Sequence, residues 1–507
     1  MASNTAPKPT VAIVGGGIAG LSAGIFGRIN GLETVIYEAN AKLGGVCSGW
    51  ERSGYNVNGS VHWLVGSAPG NDLYHLWKQL GVIEGNTFYN HDAFAEFGDL
   101  EGGPLRLDVD VDALERTLLE RAPEDRDWIM KFVSGIRTMA HSHFPLDRSF
   151  ELLNPWDWTK IAFREFSTIQ TMVHWGGISL RECANQLHNR DLKTVFQHFW
   201  TPEMNAAFLM MQMGYAAAGS AGYPLGGSSA FIAKLEKRYR DLGGTVRASS
   251  SVERIRVKDG RAVGVQLKDG SVHHADYVVS ACDGHSVLYG MLDPEWVDPE
   301  VFEAYEILRP FPSLNFFSAG VRSRFPNYRP SIVGHNWVLA EPLRLGSFEH
   351  ERVTFNLFTF DHTLAPEGCT LVTAMLDADF DYWEELYRHS PQLYQAERAR
   401  VAEVLVETLN QAFPEIRHLW DFTDLATPLT YRNWTGNHKG SYEGWLPTPE
   451  AMRMRIPTHF KRLQGLYMAG HWVAPGGGMP PAAYTGRDAI QLICRDLGRA
   501  FHFVEPG

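Results

Sequence analysis

The chain has 507 residues, 44% of them hydrophobic and 21% charged, and carries a net charge of −12. That length exceeds one small core, so two or more packed units are expected, and the composition is that of an ordinary globular protein able to bury them. The acidic balance, with no basic stripe, excludes nucleic acid as the main partner.

Met1–Thr10 is polar, holds two prolines and lacks the apolar core of a signal peptide. No window reaches the length of a membrane-spanning helix. Five scattered cysteines, an odd number without a C-x-x-C pair, fit a reducing compartment. The chain therefore reads as cytoplasmic, with peripheral contact to a membrane face left open.

The stretch Val11 to Glu38 then reads as strand, tight turn, helix, strand. Val11–Val14 is a β-branched run suited to a buried parallel strand, and it leads into Gly15, Gly17 and Gly20 in G-x-G-x-x-G spacing. Glycines there let the backbone turn sharply and approach a pyrophosphate, while the following helix aims its positive end at the phosphates. Thr34–Tyr37 is the second strand, and Glu38 at its end is placed to accept hydrogen bonds from an adenosine ribose. The Gly44-Gly45 pair in the next loop lets the chain pass close under a cofactor, or is a flexible turn. Gly54–Ser67 alternates like a strand, turns through Gly59 and holds His62 and Trp63.

From Asp92 to Ala221 longer helical periods and aromatics replace the strand signals. Trp158, Ala162, Phe166, Ile169 and Val173 share one helical face, the pattern of a core stripe or of an apolar entrance facing a membrane. Met204–Tyr223, uncharged and rich in Met, suits an adaptable apolar cavity or a plain core helix. Tyr223 to Gly227 reads as a turn and Ser228–Leu242 as a helix. Thr245–Val257, Ala262–Lys268 and Ser271–Ala281 read as strands joined by hairpin turns at Asp259-Gly260 and Asp269-Gly270. Asn315–Val321 and Val353–Phe360 read as sheet, and Tyr382–Phe413 as helix. Thr427–Pro449 is a loop-rich aromatic segment typical of a site wall, and Gly465–Cys494 is strand, glycine turn, helix.

Three stretches, in the same order, resemble the FAD-dependent oxidoreductases of the phytoene desaturase, carotenoid isomerase and retinol saturase group within the flavin amine oxidase superfamily. They are VAIVGGGIAGLSAG with Glu38 and Gly44-Gly45, YPLGGSSAFIAKLE with ADYVVSACDG, and LYMAGHWVAPGGGMPPAAYTGR. The resemblance implies an α/β fold: a discontinuous Rossmann-like FAD-binding domain (residues 1–90, 222–290 and 455–507) with an inserted α+β substrate domain of mixed sheet and helices (91–221 and 291–454). It implies non-covalent FAD, with pyrophosphate contacts from Gly15, Gly17, Ala19 and Gly20 and a ribose contact from Glu38. Gly45 and Val46 would flank the ribityl and phosphate chain, the Val252 backbone would hold the adenine, and Gly470, His471, Met479 and Pro480 would line the flavin end. Val46 stands where many relatives have Arg, which leaves a phosphate contact missing or supplied by Lys42. His471 stands where many have an acid.

Read from the residues alone, Gly476–Gly478 makes a turn and Pro480-Pro481 starts a helix whose N-terminus can stabilise negative charge on a bound ring. No metal-ligand spacing and no second strand-anchored glycine turn for a nicotinamide nucleotide stands out. The expected partners are a lipophilic substrate and an external electron acceptor or donor such as oxygen, a quinone or a reductant. His62 is a catalytic candidate able to shuttle a proton near neutral pH, or a structural histidine. Tyr442 and Trp445 are candidates to sandwich the substrate or to pack a domain interface, and Trp63 and Tyr223 are candidate substrate contacts. The resemblance implies desaturation, saturation or double-bond isomerisation of an isoprenoid or acyl-type molecule. An amine or porphyrinogen-type oxidase, with Trp445 and Tyr442 or Trp472 as an aromatic cage, is the alternative, and a flavin carrier without turnover a third.

Overall fold

The computed structural model describes residues 7–143 and 146–503, so most of the polar start of the chain, residues 1–6, lies outside the described residues. Its first layer is a five-stranded parallel sheet in the order Thr245–Arg247, Glu33–Tyr37, Thr10–Val14, Tyr277–Ser280, Leu466–Met468. Val11 to Val14 are buried on both faces, as a strand covered by helices on each side must be. The Ile18–Ile29 helix covers this sheet and packs against the Met479–Asp496 helix from the far end of the chain.

That contact is close because small residues meet there. A Cβ on Gly486 would collide with the carbonyl oxygen of Ala19, while one on Gly20 would collide with that of Gly15, so Gly20 serves the packing of its helix on the first strand's turn. The Ser22 hydroxyl donates to the Ala483 carbonyl at 2.6 Å, and the Thr485 hydroxyl accepts from Gly470 N–H at 2.8 Å.

The expected strand Thr245–Val257 is two strands. Thr245–Arg247 joins the parallel sheet, while Val252–Lys258 forms an antiparallel sheet with Arg261–Leu267 and Val272–His274. The break falls at Ser249, at φ 52°, where Ser249 and Ser250 N–H groups donate to the Asn40 and Glu38 carbonyls instead of continuing a ladder. The Asp259-Gly260 hairpin turn is present, with both residues left-handed.

The second large layer is a seven-stranded mixed sheet in the order Trp420–Ala426, Ser313–Val321, Thr370–Ala378, Phe348–Leu357, His335–Leu345, Ala93–Phe97, Leu105–Asp108. The last two strands correct the expectation of a helical region from Asp92. Ala93–Phe97 pairs in parallel with His335 and Asn336, a partner more than two hundred residues away that no local pattern announces. The expected helix Tyr382–Phe413 is also two, Phe380–His389 and Pro391–Ala412, because Pro391 cannot continue a helix and Ser390 caps the second by accepting from Leu393 N–H.

Tyr223 and Pro224 belong to a short strand, Ala221–Pro224, paired with Leu64–Val65 and Phe88–Tyr89, rather than to a turn. The face of Trp158 to Val173 is split between two helices, Pro155–Arg164 and Phe166–Gly176, at Glu165, which is buried and accepts from Arg164 Nε and the Thr168 hydroxyl. The stripe is not core. Of its members Trp158, Phe166, Ile169 and Val173 are 45, 62, 38 and 73% exposed, and Trp156 and Phe163 beside them are 65 and 89% exposed.

Alanine at Gly486 separates helix propensity from packing. Propensity alone favours Ala by about 1 kcal/mol, but the clash with Ala19 dominates, so Gly486→Ala is expected to destabilise the fold by about 1–3 kcal/mol. Urea unfolding checks this, and a gain in stability would mean that the two helices are not in close contact.

Candidate active site

Two glycine turns face one cavity of about 1310 Å³. At the first, Gly15 turns with φ 98° and Gly17 starts the Ile18–Ile29 helix with no side-chain cap, leaving its first-turn N–H groups free for an anion. Gly17 itself is at φ −75°, which any residue adopts, and a Cβ there would come no nearer than 3.7 Å to the protein. Neither backbone nor packing demands glycine at this position. The space in front of it opens into the cavity.

Glu38 is buried, and its carboxylate oxygens accept from Gly16 N–H and Asn40 N–H, both at 2.8 Å. It ties the end of the second strand to the glycine turn while still lining the cavity. Gly44 N–H donates to the Gly16 carbonyl, which lays Gly45 and Val46 on the wall opposite Gly17. Lys42 is not on the wall. Nor are Gly20, spent on packing its helix against the first turn, and Val252, whose side chain belongs to the same buried cluster as Val14 and Tyr37.

At the second turn Gly476, Gly477 and Gly478 have φ of 113, 61 and 81°, conformations that side chains resist. Gly478 begins the Met479–Asp496 helix, again without a side-chain cap. Gly470, His471, Met479 and Pro480 share the cavity with Gly15, Gly17 and Ala19. Two uncapped helix ends, a glycine with open space before it and an acid at the second strand's end fit a dinucleotide with a ring system at its far end. Burial pushes the His471 imidazole down to about 4, so it is uncharged at neutral pH.

The remaining wall is apolar and aromatic. Trp63 lines it, donates from Nε1 to Gln212 Oε1 at 3.1 Å and stacks on Trp200. His62 lines it too, and burial pushes its imidazole down to about 4, which corrects the expectation of a proton shuttle near neutral pH. Its Nε2 is buried without a hydrogen-bond partner among the described residues, so the ring is an uncharged polar group held ready for a ligand.

Tyr442 lines the cavity but Trp445 does not, so the expected sandwich of these two rings is not formed. Trp445 is fully buried, donates from Nε1 to the Trp472 carbonyl at 2.8 Å and packs edge-on to Trp472 and Tyr305 in a separate core cluster. Tyr223 likewise stands behind the wall, its ring against Phe358 and Phe360. Glu443 and Asp377 are wall residues that the sequence reading missed. Burial pushes their carboxyls up to about 8 and about 7, the Thr201 hydroxyl partly offsetting the effect at Asp377. Asp377 carries no sequence signal on its strand, whereas Glu443 lies in the aromatic loop Thr427–Pro449, whose composition did suggest a wall.

Known proteins resemble this chain over nearly its whole length. It is 26% identical over 506 residues to a prolycopene isomerase of Arabidopsis thaliana, covering 96% of this chain and 82% of that one. It is 22% identical to a 1-hydroxycarotenoid 3,4-desaturase of a Flavobacterium, covering 95 and 98%. Among solved structures, a putrescine oxidase triple mutant superposes with a TM-score of 0.62 at 14% identity, covering 96 and 99%. An oxidoreductase of Methanosarcina mazei gives 0.60 at 16%, covering 95 and 100%, and both establish likeness of fold. The sequence profile of the family described as flavin containing amine oxidoreductase matches residues 18–494, and the chain belongs to that family.

Proposed function

We propose that this protein binds FAD non-covalently between its two glycine turns and acts on carbon–carbon bonds of a lipophilic, isoprenoid- or acyl-type substrate, by desaturation, saturation or double-bond isomerisation. The observation that carries the reading is one apolar cavity running from both uncapped helix ends to the aromatic wall around Trp63, Trp200 and Phe208. The names of the relatives, prolycopene isomerase and a carotenoid desaturase, support the same substrate class.

A bound flavin supplies two-electron chemistry at its ring. The chain supplies position and dryness. The helix ends at Gly17 and Gly478 hold negative charge, Trp63 and Tyr442 offer faces to a polyene or acyl chain, and His62 Nε2 offers one uncharged hydrogen-bonding atom. The amine-oxidase alternative is less well supported, because the ring pair that would cage an ammonium is broken by the inward turn of Trp445. We assign residues 1–90, 222–290 and 455–507 to the cofactor part and the remainder to the substrate part.

We further propose that the protein works at a membrane surface, although no helix among the described residues is long and apolar enough to cross one. The exposed face of the Pro155–Arg164 and Phe166–Gly176 helices is the contact. Phe150 stacks on Trp158 and also lines the cavity, as does Met172, so the apolar face is continuous with the substrate space. The exposed charge on the hairpin is cationic. Lys160 lies 5.5 Å from the Trp156 ring and has no ion-pair partner among the described residues, whereas Asp157 is engaged by Arg148 and Asn154 and Arg164 is paired with the buried Glu165. Such a face suits anionic phospholipid.

Three outcomes follow. Purified protein is expected to be yellow, to release FAD on denaturation, and to change either the mass of a polyene by two hydrogens or only its chromatographic retention. Rapid stoichiometric bleaching by NADPH alone would contradict the reading that the chain has no nicotinamide-nucleotide site of its own. His62→Ala is expected to keep its flavin and lose turnover by about 10-fold or more, on the scale of one lost polar contact, and unchanged turnover would remove His62 from the mechanism. The double variant Trp156→Ser, Phe163→Ser is expected to lower co-sedimentation with phosphatidylglycerol vesicles by about 10-fold or more with an unshifted Tm, and unaltered sedimentation would refute the membrane contact.

A further inference from the structure

The family resemblance implies an acid where His471 stands, but a carboxyl reaches the second glycine turn from another part of the chain. Glu443 lies in the loop after the Pro428–Thr435 helix. Its side chain rests on the Gly476–Gly478 turn: a Cβ at Gly477 would meet Glu443 Oε2 at 2.7 Å, and one at Gly478 would meet Oε1 at 3.7 Å. The glycines make room for this carboxyl as much as for the turn. Gly444 backs directly onto the His471 carbonyl, and the Ser441 hydroxyl donates to the Glu443 carbonyl, so both ends of the residue are fixed.

We propose that Glu443 is the proton-donating acid of this cavity, serving the ring system seated on the Gly476–Gly478 turn, an assignment that rests on the flavin reading above. The exchange is one proton: the carboxyl O–H bond breaks as the proton passes to its acceptor and re-forms when it returns, with no electron moved and no co-reactant consumed. An ionised carboxylate there would oppose negative charge on the ring, and the protonated form removes that repulsion and donates a hydrogen bond.

The surroundings favour the protonated form. Burial alone pushes Glu443 up to about 8, with no cation close enough to offset it. The titratable groups around it are Tyr442 and Tyr431, both phenols pushed up by burial, Asp377, which with Glu443 acts on the Tyr442 phenol, and His471, which is uncharged. Arg309, on the segment that bridges to Trp445, acts on Glu450 instead. The sign is that of a raised acid. The native state keeps a proton that the unfolded chain releases above about pH 4.3, so this group's contribution to stability is lost as pH rises toward about 8.

The test uses the holoenzyme and Glu443→Gln, which keeps the shape and cannot ionise. The flavin absorption and the reduction potential of the wild type, followed between about pH 6 and 10, are expected to show a one-proton transition near pH 8. Glu443→Gln is expected to lose that transition in both readouts, Glu443→Asp to retain it at a shifted pH, and turnover of Glu443→Gln to fall by about 10²-fold. A transition that persists in Glu443→Gln, or is missing from the wild type, would overturn the assignment. Colourless protein would instead overturn the flavin reading. The Tm difference between wild type and Glu443→Gln would then still show whether residue 443 holds its proton, since it should shift in favour of Glu443→Gln as pH rises.

Discussion

The contact between the Ile18–Ile29 and Met479–Asp496 helices is the constraint on which the rest depends. It joins segments more than 450 residues apart and sets the distance between two glycine turns that must address one ligand. Gly486 permits the approach, and the Ser22–Ala483 and Gly470–Thr485 hydrogen bonds fix its register. A bulkier interface would push the two helices, and with them the two turns, apart. The cofactor site is therefore a consequence of helix packing before it is a set of binding residues.

Inside that frame the cavity is organised by the cost of burying charge. His62 and His471 are pushed down, Glu443 and Asp377 are pushed up, and all four have an uncharged form available near neutral pH. Apolar surroundings that would bind a polyene or acyl chain also strip charge from the polar groups among them. What is left is a set of dipoles: two helix N-termini, an orphaned imidazole nitrogen and a carboxyl on the glycine turn.

The helical hairpin shows the same economy at the surface. Its capping box at Asn154 and Asp157 and its buried Glu165 give it a fixed shape, so its aromatic face is held outward rather than collapsed onto the core. A large rigid apolar face is unfavourable in water unless something covers it. Through Phe150 and Met172 it adjoins the cavity wall.

The first βαβ unit, both glycine turns, the acid at residue 38 and the aromatic wall segment were legible in the sequence, because each is a short-range backbone requirement that only certain residues satisfy. The two-strand outcome of Thr245–Val257, the edge strands Ala93–Phe97 and Leu105–Asp108, and the split at Glu165 were not, since distant partners or a buried contact decide them. The direction in which a side chain faces was the least legible. Tyr442 and Trp445 are three residues apart in one loop, yet one faces the cavity and the other fills a separate core, while Glu443 between them reaches a turn that begins at residue 476. The amino-acid sequence by itself determined the glycine turns, the first βαβ unit and the family, and only the tertiary structure decided which polar and aromatic groups share the cavity, because burial and facing are properties of all the neighbours at once.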